Sequence, residues 1–283
     1  MTAIISIGFK TEAFVAGGGT IPAFSHTPAP NDFDRLIDTV KSAIRDSDHV
    51  IAVYPEYAAE PLLARLETVR TALNTSKLAP YATKLPPLAG AGLTSLASAV
   101  APYIKAPGVL FAALPNLEAE LVVLAWLGSV SKLHNPSPSM GQHILSMWPT
   151  SAFAVSFWPE PTVKTLRKND RALSLPTTFR PMMLATAPRD GADATWVEEV
   201  ILPGLGMPPT VRFDPTPLGP RWWGTPRLVE AVAYPVDVPV IARRITQSLS
   251  PFLCRWCGDA IASRHCPFCG LDVARTALVG GAA

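Results

Sequence analysis

Short apolar runs alternate along this chain with stretches of helical periodicity, and that alternation restricts the fold more than any other feature. Ile4 to Phe9 (IISIGF) and His49 to Tyr54 (HVIAVY) have the length and β-branched content of buried strands. Between them, Asn31 or Asp32 can cap a helix on which Phe33, Leu36, Ile37, Val40 and Ile44 share one face. A second helix opens at Glu60-Pro61, with proline at a favourable first position, and buries Leu62, Leu63, Leu66, Val69 and Leu73. After a connection over 74–91 the pattern predicts a helix from Leu93 to Ile104, a strand at Val109 to Leu114 and a helix from Leu117 to Leu133. Strands follow at Ala152 to Trp158 and Met182 to Ala187, with a short helix at Trp196 to Leu202. Residues 203–221 are dense in proline and glycine. Thr225-Pro226 opens a further helix through Ala233, and Val238 to Leu249 forms the last, with Ile241, Ile245 and Leu249 inward. Strands alternating with helices predict an α/β fold: a mainly parallel, Rossmann-like sheet flanked by helices.

The chain holds four cysteines in all, and they sit together near its end: Cys254-Arg-Trp-Cys257 and Cys266-Pro-Phe-Cys269. Two CxxC pairs on tight turns present four soft thiolates to one ion, the ligand set of tetrahedral zinc. Gly258 and Gly270 follow the pairs, where such turns need positive φ. A site closed by four thiolates has no open position for substrate water, so the expected Zn2+ is structural. His265 adjoins the set but is surplus to it. Cysteines gathered in one compact motif, with none spread as a disulfide framework, point to a reducing cytoplasm.

With 48% hydrophobic and 16% charged residues, the chain has ample apolar surface to offset chain entropy, which favours a folded body over disorder. Such a composition also favours an apolar surface patch, hence a protein partner or self-association. The most apolar stretch, Val109 to Val130, is interrupted by Pro115, Asn116, Glu118 and Glu120, so no membrane span is expected. The N-terminal residues lack a basic segment followed by a long apolar one, so no signal peptide is expected. Net charge is +2. Residues 240–283 carry five arginines against two aspartates, a net +3, which suits nucleic acid. Four bound thiolates and a divalent ion reduce that to about +1.

Several predicted strands end in proline and a polar residue: Tyr54-Pro55-Glu56, Leu114-Pro115-Asn116, Trp158-Pro159-Glu160 and Ala187-Pro188-Arg189-Asp190. Proline stops a ladder and the polar residue caps the next helix, which accounts for the pattern without any function. In an open parallel sheet, however, strand C-terminal ends share the ligand-binding edge. Glu56, Asn116, Glu160 and Asp190 are therefore the candidate catalytic pocket, with cis bonds at Tyr54-Pro55 and Trp158-Pro159 as a device to aim them. Gly17-Gly18-Gly19 is the candidate cofactor-binding loop, although it lacks the lysine of a P-loop and the GxGxxG spacing. No GxSxG or HExxH is present. His134 and His143 flank the loop HNPSPSMGQH, an arrangement compatible with a second metal or a substrate loop. Adjacent Trp222 and Trp223 are either core or a stacking surface beside Arg221 and Arg227.

CRWCGDAIASRHCPFCG resembles the short zinc-ribbon family, two CxxCG knuckles around a spacer. The resemblance covers residues 254–270 and implies Cys254, Cys257, Cys266 and Cys269 as the metal ligands of a docking or structural module. The expected division is an α/β body over 1–202, a connection with helices packing on it over 203–250, a zinc ribbon over 251–275 and a frayed tail over 276–283. The function expected from this division is that of a zinc-binding assembly protein with a docking ribbon. A Rossmann-like enzyme acting on a small or nucleotide ligand, or a nucleic-acid factor using Trp256 and Phe268, are the alternatives.

Overall fold

The computed structural model describes residues 2–11, 21–25, 32–148, 151–169, 171–176 and 180–272. Gly17, Gly18, Gly19, His26, Asn31 and the tail 276–283 lie outside the described residues. In chain order the elements are β1 (Thr2–Ile7), β2 (Ala23–Phe24), α1 (Asp32–Ser47), β3 (His49–Pro55), α2 (Ala59–Ala72), β4 (Leu78–Thr83), α3 (Pro87–Val100) and α4 (Pro107–Glu118). Then come β5 (Val122–Leu127), α5 (Met140–Leu145), β6 (Ala152–Trp158), β7 (Thr162–Leu166), β8 (Met182–Pro188), α6 (Leu202–Gly204) and β9 (Thr210–Arg212). The chain closes with α7 (Gly219–Trp223), β10 (Leu228–Pro235), α8 (Val238–Ser248), β11 (Phe252–Leu253) and β12 (Ala260–Ile261). Among the described residues no helix is long and apolar enough to cross a membrane.

Two compact units result. The first comprises Met1–Lys84, Leu93–Leu117 and Val238–Ala283; the second comprises Leu85–Gly92 and Glu118–Asp237. The first unit is built on a wholly parallel sheet in the order β2-β1-β3-β4, with Ile4 opposite Ile51 and Val53 opposite Tyr81. Every residue of β3 is buried, as expected where a strand is covered on both faces. Leu36 and Val40 of α1 and Leu62, Leu66 and Val69 of α2 pack with Ile5, Ile7, Val50 and Ala52. The predicted helical faces are thus the buried ones, except that Leu63 is exposed.

The parallel sheet with flanking helices confirms the α/β class. One predicted strand here is a helix: Val109 to Leu114 lies inside α4. A six-residue apolar run fits a buried helix as well as a strand, and Pro107 at the first helical position with Ala112 and Ala113 decides for the helix.

The second unit contains a six-stranded sheet in the order β7-β6-β5-β10-β8-β9. Its neighbours run antiparallel except for β8 and β9. Two predicted helices are strands. The stretch from Leu117 to Leu133 contains β5, and Thr225 to Ala233 contains most of β10, which lies between β5 and β8. The core includes Leu124, Trp126, Leu184, Trp196, Val229 and Ala231. Trp196 leads into a π-helical turn, Val197–Ile201, where the short helix was expected.

Candidate metal centre and a buried carboxyl cluster

The two CxxC segments fold into matching knuckles. The Gly258 N–H donates to the Cys254 carbonyl and the Gly270 N–H to the Cys266 carbonyl, both at 2.9 Å. Both glycines have positive φ, at 78° and 76°. The Cys254 N–H donates to the Asp259 carbonyl at 2.8 Å and the Cys266 N–H to the Leu271 carbonyl at 2.9 Å. This places Cys254 Sγ 3.6 Å from Cys269 Sγ, and Cys257 Sγ 3.6 Å from Cys266 Sγ. All four sulfurs lie within 4.8 Å of one another. Four sulfurs at about 2.3 Å from a tetrahedral zinc would be about 3.8 Å apart, so the cluster has the dimensions for a metal ion.

Burial pushes the Cys254 thiol up, but N–H groups of Cys257 and Trp256 more than offset it and hold it at about 7. Burial pushes the Cys257 and Cys269 thiols up. A divalent ion relieves that cost by taking all four as thiolates. His265 lies outside the cluster; its Nε2 is 3.2 Å from Asp272 Oδ2.

The knuckles pack into the first unit. Ile261 and Phe268 are fully buried. The Phe268 ring meets the His49 imidazole edge-on at 4.6 Å, and its carbonyl accepts from Arg70 Nη2 at 2.6 Å. His49 Nε2 is 3.2 Å from Asp259 Oδ1. Phe268 is therefore no stacking platform, whereas Trp256 is 80% exposed.

The candidate pocket residues fall two in each unit, Glu56 and Asn116 in the first and Glu160 and Asp190 in the second. Glu56 follows β3 in a 3-10 turn and is exposed, and Asn116 is in α4 and follows no strand. In the second unit, β6 ends beside Val123 near the start of β5. β8 ends beside Val229, which lies opposite Trp126 near the end of β5. Glu160 and Asp190 thus leave opposite ends of one sheet, because the antiparallel pairing removes the shared C-terminal edge. Trp158-Pro159 is cis; Tyr54-Pro55 is not. Glu160 lines a cavity of about 210 Å³ with Ser156, Pro159, Thr162, Ser174, Leu175 and Pro176. A cavity of about 530 Å³ is lined by the polar residues Glu67, Arg70, Thr71, Asn74, Thr75 and Ser76. His134 is exposed and His143 half-buried on α5, and neither belongs to the four-cysteine cluster.

A different group emerges as the most deeply buried carboxyl among the described residues. Glu230, on β10, is 1% exposed. Its Oε1 accepts from Trp223 Nε1 at 3.1 Å and from the Leu88 N–H at 3.3 Å, and its Oε2 accepts from the Thr216 hydroxyl. Arg189 Nη1 donates to the Thr216 carbonyl at 3.0 Å. Burial pushes the Glu230 carboxyl above its ordinary range; the Thr216, Trp223 and Leu88 bonds and the Arg189 charge oppose that shift. Trp223 is fully buried and belongs to the core, while Trp222 is half-buried and meets Phe157 edge-on at 5.1 Å. The sequence signal for this cluster was a lone acid inside an apolar run, LVEAVAYP.

No family model and no curated protein matches the sequence. Solved structures do match in fold. A DegV family protein from Corynebacterium glutamicum superimposes with a TM-score of 0.57 and 11% identity, over 83% of this chain and 97% of that one. The chain has a DegV-like fold. A DegV family protein from Thermus thermophilus, described as binding fatty acid, gives a TM-score of 0.55 at 10% identity over 83% and 99% of the two chains. The fatty acid kinase B3 protein of Streptococcus pneumoniae, loaded with linoleic acid, gives 0.50 at 10% identity over 83% and 99%.

These likenesses correct the functional expectation. An assembly protein built around a docking ribbon is overturned, since the chain has a DegV-like fold along nearly the full length of those proteins, two of them named for fatty acids. The ribbon itself is packed against β3 and α2. The enzyme alternative loses the pairing of Glu160 with Asp190, which leave opposite ends of one sheet. The nucleic-acid alternative loses Phe268 to the core.

Proposed function

We propose that this protein binds a long-chain fatty acid and carries one structural Zn2+ on Cys254, Cys257, Cys266 and Cys269. The observation that carries the lipid reading is the DegV-like fold, which extends over 99% of the fatty-acid-binding chain from Thermus thermophilus. The apolar composition, 48% hydrophobic residues, agrees with it. An acyl chain needs an apolar cavity with a few polar groups for the carboxylate. The cavities at Glu67 and at Glu160 do not suit it: the first is lined by polar residues and offers no apolar wall for the chain, and the second carries an acid that repels a carboxylate. One protein of this fold is named as part of a fatty acid kinase, which keeps a protein partner within the reading. Four reduced thiolates suit a reducing compartment, the cytoplasm.

The test is native mass spectrometry of freshly purified protein, followed by solvent extraction and rebinding of linoleate or palmitate. One equivalent of a C16 to C18 acid is expected. Ligand at a hundredfold excess over Kd should add about 2.7 kcal/mol of stability and a rise in Tm of several degrees. No extracted acid and an unmoved Tm across chain lengths would remove the lipid reading. Elemental analysis of the same sample tests the metal separately.

A further inference from the structure

We infer that the metal centre is a clamp that fastens one edge of the first unit's parallel sheet; this rests on the reading of the four cysteines as a zinc site. Three elements distant in sequence meet the knuckles there. His49, the first residue of β3, has Nε2 3.2 Å from Asp259 and its ring against Phe268. Arg70, in the last turn of α2, holds the Phe268 carbonyl. Gly108, at the start of α4, bridges to Ile261. The last approach is so close that a Cβ on Gly108 would lie 2.5 Å from Ile261 Cγ2 and 2.7 Å from the Ala260 carbonyl oxygen.

Strand starts and the ends of the antiparallel crossover helices lie on the same edge of a parallel sheet, so His49 and Arg70 are neighbours there by topology. Ile261 and Phe268 are the fully buried apolar side chains that the knuckles contribute. Two such side chains cannot fold a segment of this length alone. The ion supplies the missing order, because the thiolates fix both knuckles and thereby present Ile261, Phe268 and Asp259 together. Loss of the metal therefore frees more than the knuckles: it opens the N-terminal end of β3 and the facing ends of α2 and α4.

Hydrogen exchange read by mass spectrometry on the full chain tests this, comparing metal-loaded protein with protein stripped by a zinc chelator such as TPEN under reductant. Zinc content is measured on both samples. Stripping is expected to raise exchange about tenfold or more not only over 252–272 but also over 49–53, 67–73 and 107–112, with Val122–Leu127 unchanged. A change confined to 252–272 overturns the clamp while leaving the zinc site intact. Purified protein without zinc overturns the metal reading itself, and the two failures are told apart by the elemental analysis. Gly108→Ala supplies the second arm. It leaves all four thiolates in place, so it should keep one zinc per chain and still raise exchange at 49–53. Unaltered exchange in that variant also overturns the clamp.

Discussion

Cys266→Ser is expected to lower the first thermal transition of the protein by roughly 10 °C, measured by calorimetry under reducing conditions. Cys266 is 2% exposed and lies 3.6 Å from Cys257 Sγ. A serine oxygen is a harder and less acidic donor than a thiolate, so it binds zinc far more weakly. Zinc binding contributes about 10–16 kcal/mol to folding in isolated zinc-finger peptides. Only part of that is at stake here, since three thiolates and the packing of Ile261 and Phe268 survive the substitution. A loss of about 3–5 kcal/mol is the expected share, and at roughly 2–4 °C per kcal/mol for domains of 150–250 residues it gives the stated shift. Ser263→Ala in the spacer, which removes one bond to the His265 carbonyl, is the control and should leave Tm within about 1 °C. A Cys266→Ser protein that has lost its zinc and still melts with the control would show that the cluster does not bear on stability.

The four-cysteine cluster and the parallel half of the fold were legible because each has a local signature. CxxC spacing followed by glycine specifies a knuckle without reference to the rest of the chain, and the runs of β1 and β3 are apolar on both faces because helices cover both faces. The unanticipated strands β2, β4, β7 and β9 are the outer strands of the two sheets. Edge strands are short and half-exposed, and β4 carries Pro80, which a central strand would not tolerate. Their apolar pattern is therefore broken for a physical reason.

The exchanged assignments have another cause. VLFAAL in α4 and VVLAWL in β5 are equally apolar, and only the chain around them, Pro107 before one and Gly128 after the other, separates helix from strand. LVEAVAYP of β10 contains two alanines and a glutamate, which favour helix locally, but burial between β5 and β8 overrides that preference. Mistaking β10 for a helix also hid the antiparallel sheet, and with it the fact that Glu160 and Asp190 diverge. The DegV-like likeness, at 10–11% identity, lies in topology rather than in any motif a single sequence displays.

Glu230 is where stability should depend most on pH. Its folded carboxyl is pushed above the ordinary value of 4.5, by burial first, despite the bonds from Thr216, Trp223 and Leu88. A carboxyl raised in the folded state favours folding while protonated. Its contribution is complete below the unfolded value and is lost as pH rises through the folded one. Glu230→Gln cannot ionise, yet its carbonyl can accept from Trp223 and Leu88 and its amide can donate to Thr216. That variant is expected to match the parent near pH 4 and to exceed its stability at pH 8, in urea unfolding at both pH values. Glu230→Ala behaves differently. It orphans the Trp223 indole N–H and the Leu88 N–H in a fully buried site and leaves a cavity, together costing about 3–5 kcal/mol at either pH. If Glu230→Gln were instead as unstable as Glu230→Ala at pH 8 and harmless at pH 4, the carboxylate would be the favoured folded form. The three donors and Arg189 would then outweigh the cost of burying the charge.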